Sequence, residues 1–269
     1  MCNSLKGSGL SKYQNVRRIH SFIAKQLKSE FVYVYEFKLY LGNNDDGLYS
    51  AGNFYKQNYF DLLEKEIKEG EYVVDIGAKI GIYTLAFSKF VGPSGKIFSF
   101  EPTPDSFEIL KKNKEVNNLD NVIIEQKAIS DKQETSLLEL CEFSGNNRIN
   151  NNCENGVNVD CVSLDSYFLG KEKSISFVKI DVEGFELQII SGMKNILEKN
   201  KKIKILFEYN PTLIGFFETK LEKILEDLIE QGFSLFDLEY DYFTEVNIEH
   251  FIDNYNETQK LTNILAKQQ

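Results

Sequence analysis

Apolar residues recur at helical spacing through Val16, Ile19, Ile23 and Leu27, which predicts a helix over residues 13–29. The aromatic and β-branched run "FVYVYEFKLYL", residues 31–41, predicts a strand. A helix over Tyr55–Lys68 follows and is stopped by Gly70. From there the pattern settles into alternation. Strand "YVVDIG" leads into a helix from about Ile80 to Phe90, strand "KIFSFEP" into a helix over Pro104–Asn117, and strand "VIIEQKAI" into an irregular stretch. That stretch, residues 141–160, is rich in Asn and Gly and reads as a surface excursion of hairpin type. Strand "SISFVKIDV", helix Glu186–Lys199, strand "IKILFEYN", helix Lys220–Gln231 and strand "FSLFDLEY" close the series.

Alternation of apolar strands with helices predicts an α/β fold, a largely parallel sheet covered by helices on both faces. The expected organisation is an N-terminal helix and strand extension over residues 1–48, the main domain over 49–245, and a helical tail over 246–269. Composition is ordinary for a water-soluble chain, with 42% hydrophobic and 27% charged residues. No apolar run approaches the roughly 20 residues of a membrane span. "MCNSLKGSGLSK" has no apolar signal region, and Cys2, Cys141, Cys153 and Cys161 form no CxxC, so a cytoplasmic location is expected. The net charge of −10 is unevenly spread: residues 1–44 hold seven Lys/Arg against two Glu, which leaves the remainder strongly acidic. An acidic body repels phosphate backbones and argues against nucleic acid as a partner.

Ligands of doubly wound sheets bind beyond the carboxyl ends of the strands. Those ends carry Asp75 and Gly77, Glu101, Ala128, Asp181 with Glu183, and Glu208 with Asn210. So many carboxylates exclude a phosphate site. The first loop, "VVDIGAKIGIY", reads D-x-G-x-x-x-G over Asp75–Gly81 and lacks the central glycine of the dinucleotide fingerprint G-x-G-x-x-G. S-adenosylmethionine has no phosphate and carries a sulfonium and an ammonium, which suit an acid at the loop start. Glu101, 26 residues after Asp75, is placed to accept from both ribose hydroxyls, a device shared with NAD folds.

The blocks "VVDIGAKIGIYTLAFSKFVGPSGKIFSFEPTPDSFEILKKN", "QKAISD", "SLDSYF", "VKIDVEGFELQIISGM" and "ILFEYNP", spread over about Tyr49–Leu238, together resemble the FkbM family of S-adenosylmethionine-dependent methyltransferases. The resemblance implies a Rossmann-like class I methyltransferase fold: a seven-stranded, mostly parallel sheet with an antiparallel last strand. It implies S-adenosylmethionine as cofactor and O-methylation of a hydroxyl on a sugar, glycan or other small molecule. The family loop reads G-A-N-I-G, where this chain has Lys79 in place of asparagine. A lysine can donate but not accept, and beside a sulfonium it needs an anionic partner, for which Asp75, Glu101 and Asp181 are the candidates. The expectation is that Lys79 is accommodated and the loop still holds the cofactor.

By role, Gly77 and Gly81 admit the methionine moiety to the backbone, and Tyr83 or Thr84 meets its carboxylate end. Thr103 reads first as the N-cap before Pro104, on a turn that also edges the adenine. Ala128 and Ile129 are where the family packs the adenine, with Asp131 a nearby turn residue. Strand alternation puts Lys179 and Asp181 on one face, making Asp181 the first candidate base. Glu208 is the second catalytic candidate, while Glu183 and Glu186 can instead cap the following helix. Asp181, Glu208 and Asn210 are oxygen donors of the kind Mg²⁺ takes, but Glu208 can equally grip acceptor hydroxyls, and no metal is expected. His20 and His250 fall outside the core blocks, Asp165 reads as a helix cap, and Asn53, Tyr55 and Tyr59 are expected to lid the acceptor pocket. Three other readings share the residues: an NAD-dependent oxidoreductase, a protein methyltransferase whose acidic rim takes a Lys-rich partner, and a degenerate binding module, for which Lys79 is the motive.

Overall fold

The computed structural model describes residues 30–42, 57–141, 147–171, 174–210, 221–238, 244–258 and 260–268. The predicted helix over residues 13–29, His20, Asn53, Tyr55 and the Tyr59 side chain lie outside them.

The predicted strand over 31–41 is a hairpin, β1 (Phe31–Val34) and β2 (Phe37–Tyr40), folded at Tyr35 with φ of 53°. The turn carries none of the glycine, asparagine or proline that announces one, so the β-forming residues masked it. Helix α1 (Gln57–Glu66) precedes the alternating series β3 (Tyr72–Ile76), α2 (Ile82–Val91), β4 (Lys96–Phe100), α3 (Pro104–Val116) and β5 (Val122–Glu125). The run "VIIEQKAI" divides at Gln126–Lys127: β6 (Ala128–Ile129) leaves the main sheet and joins β7 (Glu134–Glu139), β8 (Arg148–Ile149) and β9 (Gly156–Val162) in a four-stranded sheet ordered β6-β9-β7-β8. The stretch read as a surface excursion is therefore part of a second sheet.

The series continues through α4 (Leu164–Tyr167), β10 (Ile175–Ile180), α5 (Glu186–Ser191), α6 (Lys194–Lys199) and β11 (Lys204–Tyr209). The helix predicted as one piece over Glu186–Lys199 breaks at Gly192, where a Cβ would stand 2.2 Å from the Ser130 carbonyl oxygen. Asp165 lies inside α4, whose N-cap is Ser163, and accepts instead from the Asn195 and Ile196 amides at the start of α6. Last come α7 (Leu221–Glu230), β12 (Phe233–Asp237), β13 (Thr244–Glu245), α8 (Ile248–Thr258) and β14 (Thr262–Gln268).

The main sheet runs β13-β12-β14-β11-β10-β3-β4-β5. Seven strands form its body, with the two-residue β13 on one edge. Neighbours from β11 to β5 are parallel, and β14 is antiparallel to both β11 and β12. The predicted architecture is present, but the closing strand is not "FSLFDLEY". It is β14, inside the segment expected to be a helical tail, so the domain extends to residue 268. That strand has only Ile264, Leu265 and Ala266 as an apolar centre between polar ends, too short a signal beside the helical period of α8. Its polar ends have partners: Thr262 donates to Asp237, and Lys267 pairs with Glu66. Lys204 faces Lys267 in the β11–β14 register, a like-charge pair that would repel. Glu66 of α1 bridges both ammonium groups and relieves it.

Two apolar layers sandwich the sheet. Val74, Val178, Ile205 and Ile264 point to the side of α5–α8, and Val73, Phe177, Leu206 and Leu265 to the side of α1, α2 and the hairpin. Strand alternation then fixes which way every later side chain faces. Among the described residues no helix is long and apolar enough to cross a membrane. Leu265 is fully buried opposite Leu206. Leu265→Ala is expected to cost about 2–5 kcal/mol of stability, read from urea unfolding.

Candidate active site

The chain leaves β3 toward β4 on one side, and β10 lies on the other, so the strand order reverses between β3 and β10. A crevice opens at such a switch point. Here it is a cleft of about 300 Å³ lined by Gly77, Lys79, Glu101, Thr103, Asp181 and Glu208, with Phe100, Ala128, Ile129, Leu138, Arg148 and Glu183 among the other walls.

Gly77, at the end of β3, has φ of 71°, and a Cβ there would stand 2.0 Å from the Asp181 carbonyl oxygen. No other residue lets β3 and β10 end this close together. Glu101 ends β4 and is almost fully buried. Its Oε2 accepts from the Lys79 amide and its Oε1 from the Thr103 amide, both at 2.8 Å, and the Thr103 hydroxyl donates to it as well. Thr103 thus stands at the N-cap of α3 without capping it; its hydroxyl serves Glu101. Three protein donors orient a group with about four acceptor sites, which leaves acceptor capacity toward the cleft. Burial pushes the Glu101 carboxyl above its ordinary range, against the pull of those donors and of Lys179.

Asp75 is not in the cleft. By strand alternation it shares the α2 side with Val73, and it is completely buried. The register sets Ser99, Asp75 and Lys179 side by side on β4, β3 and β10. Thr84 of α2 donates to Asp75 Oδ2 at 2.6 Å, and its only proton being spent there, Ser99 donates to Thr84 at 2.8 Å. The Lys179 ammonium lies 3.1 Å from Asp75 Oδ1 and 3.4 Å from Asp181 Oδ2, and donates to the Gly77 carbonyl at 3.0 Å. Burial works to lower the pKa of Lys179, but Asp75 and then Asp181 outweigh it and hold the ammonium above its usual value. The cation that the sequence assigned to the cofactor is thus, at Asp75, a lysine of the protein itself. Tyr83 and Gly81 also miss the cleft: Tyr83 packs on Phe60 and Phe87 with Lys179 over its ring at 4.8 Å, and a Cβ at Gly81 would strike Leu110.

Lys79 lines the cleft with φ of 52°. An L-residue other than Gly, Asn or Asp costs about 1–2 kcal/mol in that region, which supplies a backbone reason for the asparagine that the family resemblance implies here.

Four acids crowd the far end. Asp181 is partly exposed and leans on Lys179. Burial, reinforced by Asp181, pushes Glu183 up to about 7, with Arg148 and Lys79 opposing. Burial, reinforced by Asp181 and Glu183, pushes Glu208 up to about 8, although Asn210 donates to it. Glu186, at the start of α5, accepts from the Gly184 amide, and burial raises its carboxyl far above the ordinary range. Among the described residues no group of three or more His, Cys, Asp or Glu is arranged to hold a metal ion, and His250 lies exposed on α8.

Sequence reasoning missed two residues here. Lys179 was noted only as the neighbour of Asp181. Arg148 stood in an Asn-rich stretch without a motif; it comes from β8 and is braced by Glu139 through Nε and Nη2, both 3.0 Å from Oε2. The whole donor set fits S-adenosylmethionine: Glu101 for the ribose hydroxyls, acids for the cationic groups, and apolar Phe100, Ala128, Ile129 and Leu138 for the adenine.

Lys179→Met strands Asp75 as an unpaired buried charge and is expected to cost about 3–5 kcal/mol. Adding Asp75→Asn should recover much of it, which a double-mutant cycle in urea measures. Glu183 and Glu208 set a pH dependence of stability. A carboxyl whose folded pKa lies above its unfolded value near about 4.3 favours the folded state while protonated. That contribution is complete below the unfolded value and is lost as pH rises through about 7 and about 8. Urea midpoints of the cofactor-free protein should therefore fall across that range, and Glu208→Gln should flatten the fall.

The profile of the FkbM methyltransferase domain matches residues 75–235, and that of the protein-L-isoaspartate(D-aspartate) O-methyltransferases matches residues 10–129. The chain is 28% identical over 144 residues to the hexuronic acid methyltransferase AglP of Haloferax volcanii, covering 53% of this chain and 58% of that protein. It is 28% identical over 149 residues to methyltransferase 1 of Beauveria bassiana, covering 46% of this chain and 59% of that one. The chain thus spans less than two thirds of the length of either relative. Among solved structures it is similar to the FkbM methyltransferase of Methylobacillus flagellatus, at 13% identity and a TM-score of 0.46 over 93% of this chain and 59% of that one. It is likewise similar to an S-adenosylmethionine-dependent methyltransferase of Aquifex aeolicus, at 13% identity and a TM-score of 0.46 over 78% and 89%. With a profile match that takes in both Asp75–Gly81 and the Asp181 segment and covers more than half of the 269 residues, the chain belongs to the FkbM family of methyltransferases, and S-adenosylmethionine is its cofactor.

Proposed function

We propose that the protein methylates a hydroxyl oxygen of a sugar, glycan or other small molecule in the cleft between β3 and β10. The observation that carries this reading is Glu208: a half-buried carboxyl at the cleft wall, raised to about 8 by burial and by its acidic neighbours. A hydroxyl must lose its proton as it is methylated, and a base serves best when its pKa lies near the working pH.

When bound, S-adenosylmethionine supplies a methyl group on a sulfonium, which departs as a neutral thioether. The protein's part is to hold the two reactants in line and to take the proton. Glu208 receives the acceptor's proton as the new C–O bond forms. Asp181, the first candidate from sequence, leans on Lys179 and orients the acceptor. Gly77 and Glu101 hold the cofactor, Thr103 holds Glu101, and Ala128 with Ile129 packs the adenine. The second sheet walls the cleft with Leu138, Arg148 and Ile149. A sugar-acid relative supports a carbohydrate acceptor: AglP is a hexuronic acid methyltransferase. The acidic body supports a small acceptor over nucleic acid.

Glu208→Gln is expected to lower kcat/KM by about 10²-fold or more with binding of S-adenosylhomocysteine kept. For the parent, log kcat/KM should climb as pH rises through about 8, and the variant should lose that limb. Methyl transfer to a panel of sugars and uronic acids, followed by mass spectrometry, measures both. Full activity in Glu208→Gln would remove it as the base.

A further inference from the structure

Asn113 lies inside α3 and is completely buried. A helix interior suits asparagine poorly, and a buried amide needs partners at both of its ends. Those partners come from two other parts of the chain. Nδ2 donates to the Ile80 carbonyl at 2.8 Å and to the Tyr40 carbonyl at 3.1 Å, and Oδ1 accepts from the Tyr40 amide at 2.7 Å. One amide proton is thus spent on the glycine loop and the other on the hairpin. Asn117, one turn further along α3, grips the hairpin in the same way. It accepts from the Lys38 amide and donates to the Lys38 carbonyl, both at 2.8 Å, but its second proton goes to the Asn113 carbonyl.

The Ile80–Gly81 peptide that Asn113 holds also closes a turn, for the Gly81 amide donates to the Ala78 carbonyl at 2.8 Å. The carbonyl and N–H of one planar peptide point opposite ways, so fixing the first aims the second. Inside this turn stands Lys79 with its φ of 52°, and its amide is one of the donors on Glu101. A strained residue keeps such a conformation only while its surroundings over-determine it. Glu101 holds the peptide before Lys79, and Asn113 holds the peptide after Ile80. Leu110, the previous turn of α3, closes on the same spot: a Cβ at Gly81 would stand 2.7 Å from its Cδ1.

We propose that Asn113 is a positioning residue for S-adenosylmethionine. It clamps the Ile80–Gly81 peptide, keeps the turn left-handed at Lys79, and so presents the Lys79 amide to Glu101, the acid matched to the ribose. Because its other end grips β2, docking of the hairpin and affinity for the cofactor are coupled through one side chain. The proposal rests on S-adenosylmethionine as cofactor and is independent of the acceptor and of the base.

The test is calorimetric titration of the full chain and its variants with S-adenosylhomocysteine, with urea unfolding of each. Asn113→Ala strips the buried Ile80 carbonyl of its donor, the empty loop relaxes, and binding must restore the turn. Affinity should fall about 10- to 100-fold, the cost of that lost donor. Asn117→Ala gives up its two bonds to Lys38 and should lose stability while its affinity stays within about twofold of the parent's. Lys79→Gly takes the strain out of the turn, so adding Asn113→Ala to it should cost much less affinity than in the parent. Hydrogen exchange on the parent needs no variant to fold: bound S-adenosylhomocysteine should slow the Tyr40 amide, held by Asn113, more than the Lys38 amide, held by Asn117. Unchanged affinity in Asn113→Ala overturns the proposal, as do equal losses in Asn113→Ala and Asn117→Ala. An additive cycle with Lys79→Gly, or equal slowing of the two amides, overturns it as well. Each of these outcomes leaves the cofactor standing, whereas a parent that bound no S-adenosylhomocysteine would overturn both.

Discussion

The buried pair between Asp75 and Lys179 is the constraint on which the site depends. Taking both charges out of water is costly, and only close geometry with further hydrogen bonds repays it. Thr84 supplies one such bond to Asp75, and the Gly77 carbonyl takes one from Lys179. The result is a pin through the sheet at the place where its strand order reverses. It joins β3 to β10, anchors α2 above them, and fixes the carbonyl at the head of the glycine loop. Because the same ammonium also reaches Asp181, the position of a cleft carboxylate is tied to that of the loop.

Around that pin the cleft separates its chemistry by depth. Glu101 is buried and held by Thr103 and the Lys79 amide, so its role is geometric. Glu183 and Glu208 are held less tightly by hydrogen bonds and repel each other and Asp181, so their role is electrostatic. A cationic ligand entering this end relieves the repulsion and draws the acids toward ionisation. The charge of a ligand in the cleft and the protonation of these acids are thereby linked, with no change of fold required.

Much of this was legible in the residues. Alternating apolar strands and helices announced the sheet, and the strand-end acids announced the cleft, because both depend on local period and on one topological rule. Glu101, Gly77, Asp181 and Glu208 stand where that reasoning put them. Asp75 does not, although strand alternation from Val73 places it under α2; its partner is 104 residues away, and a motif read along one loop cannot display a contact made across strands. Arg148 was hidden for a related reason. Short strands in an Asn-rich stretch carry little periodic signal, and the pairing of Arg148–Ile149 with Leu138–Glu139 is a matter of register. The Tyr35 turn was hidden because the residues that make it prefer strands.

The place of β14 has a consequence for dividing the chain. The family profile ends at residue 235, and the alternating pattern ends close by, so either would invite a boundary before α8. Yet β14 is the shared neighbour of β11 and β12. A fragment cut there would lose more than a terminal element. It would carry two strands whose inward edges both lack their hydrogen-bonding partner, with Leu206 and Phe207 beside them. Open apolar edges of that kind pair with other molecules. Such a fragment would aggregate, even though it retains the glycine loop, Glu101 and the carboxylates of the cleft.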